Sequence, residues 1–302
     1  MIKLLKGAIL FAPFFLLLPL ISLIILLPSI TSSLTFKNGG VYGTYEVLGW
    51  ATTEPHGLDA EKEWSQTIDS EFTRFGGSSH RFEYRTKDCK EYDCTRGDFK
   101  GSYGRTEAYL ASSNNSASGE FGENWYAWSF YIDDTNWTYT TNDPKVINDH
   151  LVQFGQMKQS YQNDVYPQCR EFGGEVAWIF QYKPSREGLG ISRNYCKEDG
   201  LYENSTGDDT LIPKKILFNR WHDVVLHAKW GENGFFHLFI NGDLKFSEVG
   251  FITNEYHYKG KKRGPTFRYG IYQNKAPEEF NGKIVAWYDG IARAKNCEEK
   301  NF

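Results

Sequence analysis

The stretch "RWHDVVLHAKWGENGFFHLFINGDLKFSEV", residues 220–249, constrains the fold more than any other part of the chain. Polar and apolar side chains alternate through it, and Asn241-Gly242 sits between two such runs. Period-two alternation builds half-buried strands, and Asn-Gly favours the tight turn that joins them into a hairpin. Similar runs recur from residue 78 onward: "SSHRFEYRT", "GRTEAYLAS", "WYAWSFYI", "HLVQFGQMK", "EVAWIFQYK", "TFRYGIYQ" and "KIVAWYDGIARA". After "EVAWIFQYK" the stretch to about Pro213 reads as variable. No long segment has helical periodicity, and aromatic residues make up 17% of the chain, which favours strands over helices. Roughly ten or more short strands with hairpin turns predict an all-β fold, a jelly-roll sandwich of the concanavalin-like kind. One sheet of such a fold packs on the core with one face and can form an open groove with the other.

The N-terminus is different. Lys3 and Lys6 precede an apolar run from Gly7 to Leu27, and no further charge appears until Lys37. This is the pattern of a signal peptide or an uncleaved membrane anchor over residues 1–33, with 34–302 forming the exported β domain. Secretion, or an extracytoplasmic position held by that anchor, is expected. Five cysteines suit an oxidising compartment. Cys89 and Cys94 are close enough in sequence for a local disulfide, Cys169 and Cys196 could form another, and Cys297 is left over. No Cys or His pair has zinc-site spacing. No acidic loop has a trustworthy calcium-ligand spacing, so no cofactor is assigned.

The formal net charge of -4 gives no global reason to expect a polyanion, and no nucleic-acid partner is expected. Locally, Lys259, Lys261, Lys262, Arg263 and Arg268 crowd a dozen residues. They form either a solvated hairpin tip or a footprint for an acidic polymer. Alternation places Arg81, Glu83 and Arg85 on one strand face and His80, Phe82 and Tyr84 on the other. Arg105, Glu107 and Tyr109 share a face of the next strand. The charged set lines either a solvated surface or the floor of a polar groove. In "TFRYGIYQ", Arg268, Gly270 and Tyr272 share one face, while Phe267, Tyr269 and Ile271 share the other. In "HLVQFGQMK", Gln153 and Gly155 share a face that excludes His150.

Five blocks in order carry a family resemblance: "RFEYRTKDCKEYDCTRGDFKGSYGRTEAYL", "WYAWSFYIDDTNW", "VQFGQ", "NRWHDVVLHAKWGENGFFHLFINGDLKF" and "GPTFRYGIYQ". Together they resemble the jelly-roll polysaccharide lyases, nearest the heparin-lyase-like and glucuronan-lyase-like group and more distantly the alginate lyases. The resemblance implies β-elimination on a uronate-containing acidic polysaccharide; a monomer is expected. It implies Tyr272 as base or acid, with Arg105 and Gln153 neutralising the uronate carboxylate. Glu107 would support Arg105, and Arg268, Arg81, Arg85 and Lys261 would complete the substrate contacts. The chemistry fits these types: a cation and an amide disperse the charge that develops on the carboxylate, and a phenol exchanges protons. In the alginate-lyase pattern a histidine stands two residues beyond the glutamine, where this chain has Gly155. That departure motivates a second reading, a non-catalytic lectin-like protein on the same scaffold. No pair of carboxylates suggests a hydrolase.

Overall fold

The computed structural model describes residues 53–56, 62–75, 77–88, 102–110, 119–158, 176–196, 202–205, 210–253, 256–258 and 261–294. In chain order the strands are β1 (Thr53–His56), β2 (Gln66–Asp69), β3 (Ser79–Arg85), β4 (Gly104–Leu110), β5 (Gly119–Glu120) and β6 (Glu123–Asp133). They continue with β7 (Leu151–Lys158), β8 (Val176–Lys183), β9 (Gly188–Cys196), β10 (Tyr202–Ser205), β11 (Thr210–Pro213) and β12 (Trp221–Lys229). The last six are β13 (Gly234–Ile240), β14 (Asp243–Gly250), β15 (Tyr256–Tyr258), β16 (Lys261–Gly264), β17 (Thr266–Lys275) and β18 (Lys283–Ala294). Single helical turns at Pro144–Ile147 and Lys214–Leu217 are the only α-helices among the described residues.

Two antiparallel sheets form a jelly-roll sandwich. The first has the order β1-β4-β17-β7-β8-β9-β10, with β11 also on β9; the second runs β14-β13-β12-β6-β18-β3-β2. A small third sheet is β15-β16-β5. Each strand anticipated from alternation is present. The β13–β14 hairpin turns at Asn241 and Gly242, whose φ values of 53° and 87° are the left-handed pair the Asn-Gly signal demands. Strands β9, β10 and β11 lie where the sequence reads as variable. In β9, Gly188, Gly190 and Ser192 carry little strand propensity, and ladder pairing with β8 decides the conformation instead.

Aromatic side chains from both sheets fill the space between them. Trp178 stacks on Phe236 at 4.1 Å between ring centroids, and Trp128 meets Phe267 at 4.4 Å. Phe82, Tyr84, Tyr269 and Tyr288 are fully buried beside them. Rings of this size dominate core energetics, at about 3–5 kcal/mol for truncation to alanine.

Cys89, Cys94, Cys169 and Cys297 lie outside the described residues, and Cys196 is described in its backbone alone, so the disulfide pairings fall outside this description. The apolar N-terminal segment does as well. Among the described residues no helix is long and apolar enough to cross a membrane.

Candidate active site

Cross-strand register on the first sheet brings distant parts of the chain into one row. Arg105 of β4 stands opposite Tyr272 of β17, Tyr272 opposite Gln153 of β7, and Gln153 opposite Gln181 of β8. Their chain neighbours Thr106, Ile271, Val152 and Tyr182 are buried, and the last three belong to the core. The row therefore lies on the face turned away from the core. Adjacent strands are about 4.8 Å apart, so the row presents a guanidinium, a phenol and two amides over roughly 15 Å. A second row on this face joins Tyr109, Arg268, Gln156 and Ile179.

The first row is packed as a unit. The Arg105 guanidinium lies over the Tyr272 ring, 4.2 Å from its centroid. Arg105 Nη1 is also 3.9 Å from Glu107 Oε2. Glu107 is buried and accepts a 2.5 Å hydrogen bond at Oε1 from Gln156 Nε2. Gln66 Nε2 donates to the Glu107 backbone carbonyl at 2.9 Å, which ties β4 to β2 of the other sheet. Gln181 Nε2 donates to Ser192 Oγ at 3.0 Å. The side-chain oxygen of Gln153 has no hydrogen-bond partner among the described residues. A buried amide left unmatched is unfavourable unless something else, such as a bound molecule, completes it.

Two β-bulges set this geometry. In β7 the pairing to β8 skips Phe154, so Gly155 follows Phe154 toward the core and the next outward side chain is Gln156. A Cβ on Gly155 would stand 3.2 Å from Phe180 and 3.5 Å from Phe267, both core rings. The expectation that Gly155 shares the face of Gln153 is thus corrected: the position beyond the glutamine on that face is Gln156. In β17 the register against β7 shifts between Tyr269 and Tyr272. Gly270 has φ +124°, and a Cβ there would lie 2.4 Å from the Thr106 carbonyl oxygen. This glycine serves a backbone that approaches β4 closely, rather than leaving space between Arg268 and Tyr272. Those two are separated by four residues, about 13 Å of strand. The cation beside the phenol is Arg105.

Tyr288 of β18, fully buried, holds both bulges from the opposite sheet. Its hydroxyl lies within hydrogen-bond reach of the carbonyl oxygens of Phe154 and, at 3.0 Å, of Gly270, and shares its one proton between them. Bulges free ladder carbonyls that need another donor. Tyr288→Phe removes that donor, and about 1–3 kcal/mol of stability should go with it. Urea denaturation measures the loss; an unchanged midpoint would show that the bulges hold without the hydroxyl.

A family model for polysaccharide lyases matches residues 44–292. The chain belongs to the polysaccharide lyase family. Among solved structures it is similar to the endo-β-1,4-glucuronan lyase of the fungus Trichoderma reesei, with 17% identity, a TM-score of 0.54, and 82% of this chain and 92% of that one covered. It is also similar to an alginate lyase from Chlorella virus, with 11% identity, a TM-score of 0.46, and coverage of 85% and 100%. An alginate lyase from Pseudomonas aeruginosa matches with 12% identity, a TM-score of 0.45, and coverage of 72% and 83%. No curated protein sequence matches.

Other expected site residues of this polysaccharide lyase lie elsewhere. Arg81 and Arg85 belong to β3 of the second sheet, on its outer face, and Arg105 and Glu107 belong to the first sheet. The single charged face expected from the sequence is therefore two faces on opposite sides of the sandwich. Lys261 is exposed on β16 of the small third sheet. Arg268 is buried in the second row beside Gln156. Sequence reasoning missed Gln156 and Gln181; a bulge assumed at Gly155 would have found the first. Among the described residues no His, Cys, Asp or Glu cluster suits a metal ion.

His80 and His150 are core groups. His80 Nδ1 lies 3.5 Å from the Tyr269 hydroxyl, and His150 bonds Tyr139 at 2.7 Å and Gln273 at 3.3 Å. Burial pushes the two imidazoles down from 6.5 to about 3 and about 4 respectively. Both stay neutral when folded but take a proton below pH 6.5 when unfolded. Their contribution is therefore complete above that pH and falls as pH drops through the window down to those values. From pH 6.5 to 5 each should remove up to about 2 kcal/mol. Thermal midpoints recorded across that range should decline, less steeply in His150→Gln; a flat profile would contradict the assignment.

Proposed function

We propose that this polysaccharide lyase cleaves a uronate-containing acidic polysaccharide by β-elimination at the Arg105–Tyr272–Gln153 row. The observation that carries the reading is the direct cross-strand adjacency of these three side chains. A uronate carboxylate takes charge when its C5 proton leaves. The Arg105 guanidinium and the Gln153 amide, turned with its NH2 outward, receive that carboxylate. Tyr272, in its phenolate form, takes the C5 proton. The electron pair forms the C4–C5 double bond and expels the glycosidic oxygen, which takes a proton in turn from the Tyr272 hydroxyl. Atoms balance without water, as elimination requires. Arg105 over the ring stabilises the negative charge the phenol oxygen carries in this exchange. Glu107, held by Gln156, positions Arg105.

Gln153 and Tyr272 are shielded from solvent, at 4% and 6% exposure, and the Arg105 side chain keeps 16%, so the guanidinium and the phenol interact more strongly than they would in water. The lectin-like alternative rested on Gly155 standing where a histidine was expected, and Gly155 faces the core. The likeness to a glucuronan lyase makes a β-1,4-linked polyglucuronate the first polymer to test. Export through residues 1–33, cleaved or retained as an anchor, would place the enzyme with such polymers.

The experiment is incubation with polyglucuronate, alginate and heparin-type polymers while ultraviolet absorbance of unsaturated uronates is followed. Growth of that absorbance supports the reading; products with reducing ends but no unsaturation would replace it with hydrolysis.

A further inference from the structure

The row of Arg105, Tyr272 and Gln153 continues onto β8, whose side chains the elimination step does not use. Trp178, Phe180 and Tyr182 of β8 belong to the core, so alternation sets Ile179, Gln181 and Lys183 on the outer face. Lys183 has extended backbone, φ -135° and ψ 123°, and the pairing of β8 with β9 is unbroken from Trp178 to Lys183. No bulge therefore turns Lys183 to the other side. Opposite these three positions, β9 has Ser192, Gly190 and Gly188. The other cation of the two strands, Arg193, lies on the core side, its guanidinium over Trp178 and paired with Glu248. Lys183 is the one charged group on the outer face of β8 and β9 among the described residues.

Lys183 is partly exposed. Acidic groups at this end of the sheet leave it available. Asp149 pairs with Lys275 at 2.6 Å, and neither Asp149 nor Glu187 forms an ion pair with Lys183 among the described residues. Gln181 is committed differently. Its Nε2 donates to Ser192 Oγ at 3.0 Å, which leaves Oε1 as an acceptor suited to a sugar hydroxyl and not to a carboxylate. Ile179 is apolar. Of the three outward groups on β8, Lys183 is the one that can receive a negative charge.

We propose that Lys183 is a specificity-determining residue: it receives the carboxylate of the sugar next to the one held by Arg105 and Gln153. The proposal rests on the uronate-lyase reading. Gln153 and Gln181 are cross-strand partners. Lys183 lies one strand and two residues from Gln153, so their backbones are roughly 8 Å apart. A polymer that follows the row past Gln153 brings its next ring over β8. There Gln181 accepts from a ring hydroxyl, and Lys183 pairs with the carboxylate through a charge-assisted bond. A neutral sugar at that place forgoes the pairing. The substrate class narrows accordingly to polymers with contiguous uronates, as opposed to those in which each uronate alternates with a hexosamine.

Kinetics on polymers of different charge spacing test this. The substrates are polyglucuronate (or alginate, if wild type cleaves it faster) and the same polymer with most carboxylates reduced to primary alcohols. Lys183→Gln should lower kcat/KM on the fully charged polymer about tenfold, as expected for a lost charge-assisted contact. On the mostly reduced polymer, rated per remaining uronate, the loss should shrink to about twofold. Lys183→Arg should restore the rate, and added salt should slow wild type more than Lys183→Gln. Thermal melts should match wild type, since the side chain is partly exposed at a strand end. An unchanged rate on the charged polymer, an equal loss on both polymers, or no rescue by arginine overturns the proposal. Wild type that cleaves an alternating heparin-type polymer alone would also overturn it and leave the lyase reading in place. Absence of unsaturated product from every uronate polymer would sink the lyase reading, and this proposal with it.

Discussion

Tyr272→Phe should lower turnover of polyglucuronate by about 10²–10⁴-fold, the range typical for loss of a proton-transfer group. The substitution removes one hydroxyl and keeps the ring on which the Arg105 guanidinium rests at 4.2 Å. Polymer affinity should therefore change little, and the loss should fall on kcat rather than KM. Initial rates from unsaturated-uronate absorbance, with a thermal melt of each protein, separate the possibilities. A variant that melts like wild type and still turns over at a tenth of its rate or faster would remove Tyr272 from the proton-transfer role. The same loss with a collapsed melting temperature would instead place Tyr272 among the groups that hold the sheet together.

Gly270→Ala should destabilise the fold by about 3 kcal/mol or more, through left-handed strain added to a backbone clash. The new Cβ would meet the Thr106 carbonyl oxygen at 2.4 Å, the Glu107 Cα at 2.9 Å and Phe82 at 3.0 Å. Two of these atoms are backbone and cannot swing aside. Relief requires β17 to separate from β4, the contact that pairs Tyr272 with Arg105. Activity should accordingly fall further than the folded fraction does. For a domain of this size the melting temperature should drop by roughly 6–12 °C. Wild-type melting and turnover in Gly270→Ala would show that the bulge tolerates a side chain and does not set the row.

Much of this was legible from residue patterns. Arg105, Tyr272 and Gln153 came from an ordered set of sequence blocks that resemble the lyases, and the structure makes them cross-strand neighbours. Alternation correctly turned His80, Phe82 and Tyr84 inward on β3 and Phe267, Tyr269 and Ile271 inward on β17. The same rule failed at Gly155. One extra residue in a strand reverses which side chains face outward beyond it, and a bulge leaves only a glycine as its local trace. Gln156 was overlooked for that reason. Gly270 was visible as an interruption, but a bulge and a ligand gap look alike until φ and the opposing backbone are known.

The sequence by itself determined which segments become strands, which side of each unbroken strand is apolar, and where the β13–β14 hairpin turns. These are local properties, set by side-chain period and turn chemistry. Tertiary structure decided which sheet each strand joins, and so parted Arg81 and Arg85 from Arg105 and Glu107. It also decided the register that lines up Arg105, Tyr272 and Gln153, through two bulges held by Tyr288 of the opposite sheet. Pairing between strands far apart in the chain depends on how the two sheets fill their common core. No single strand carries that information.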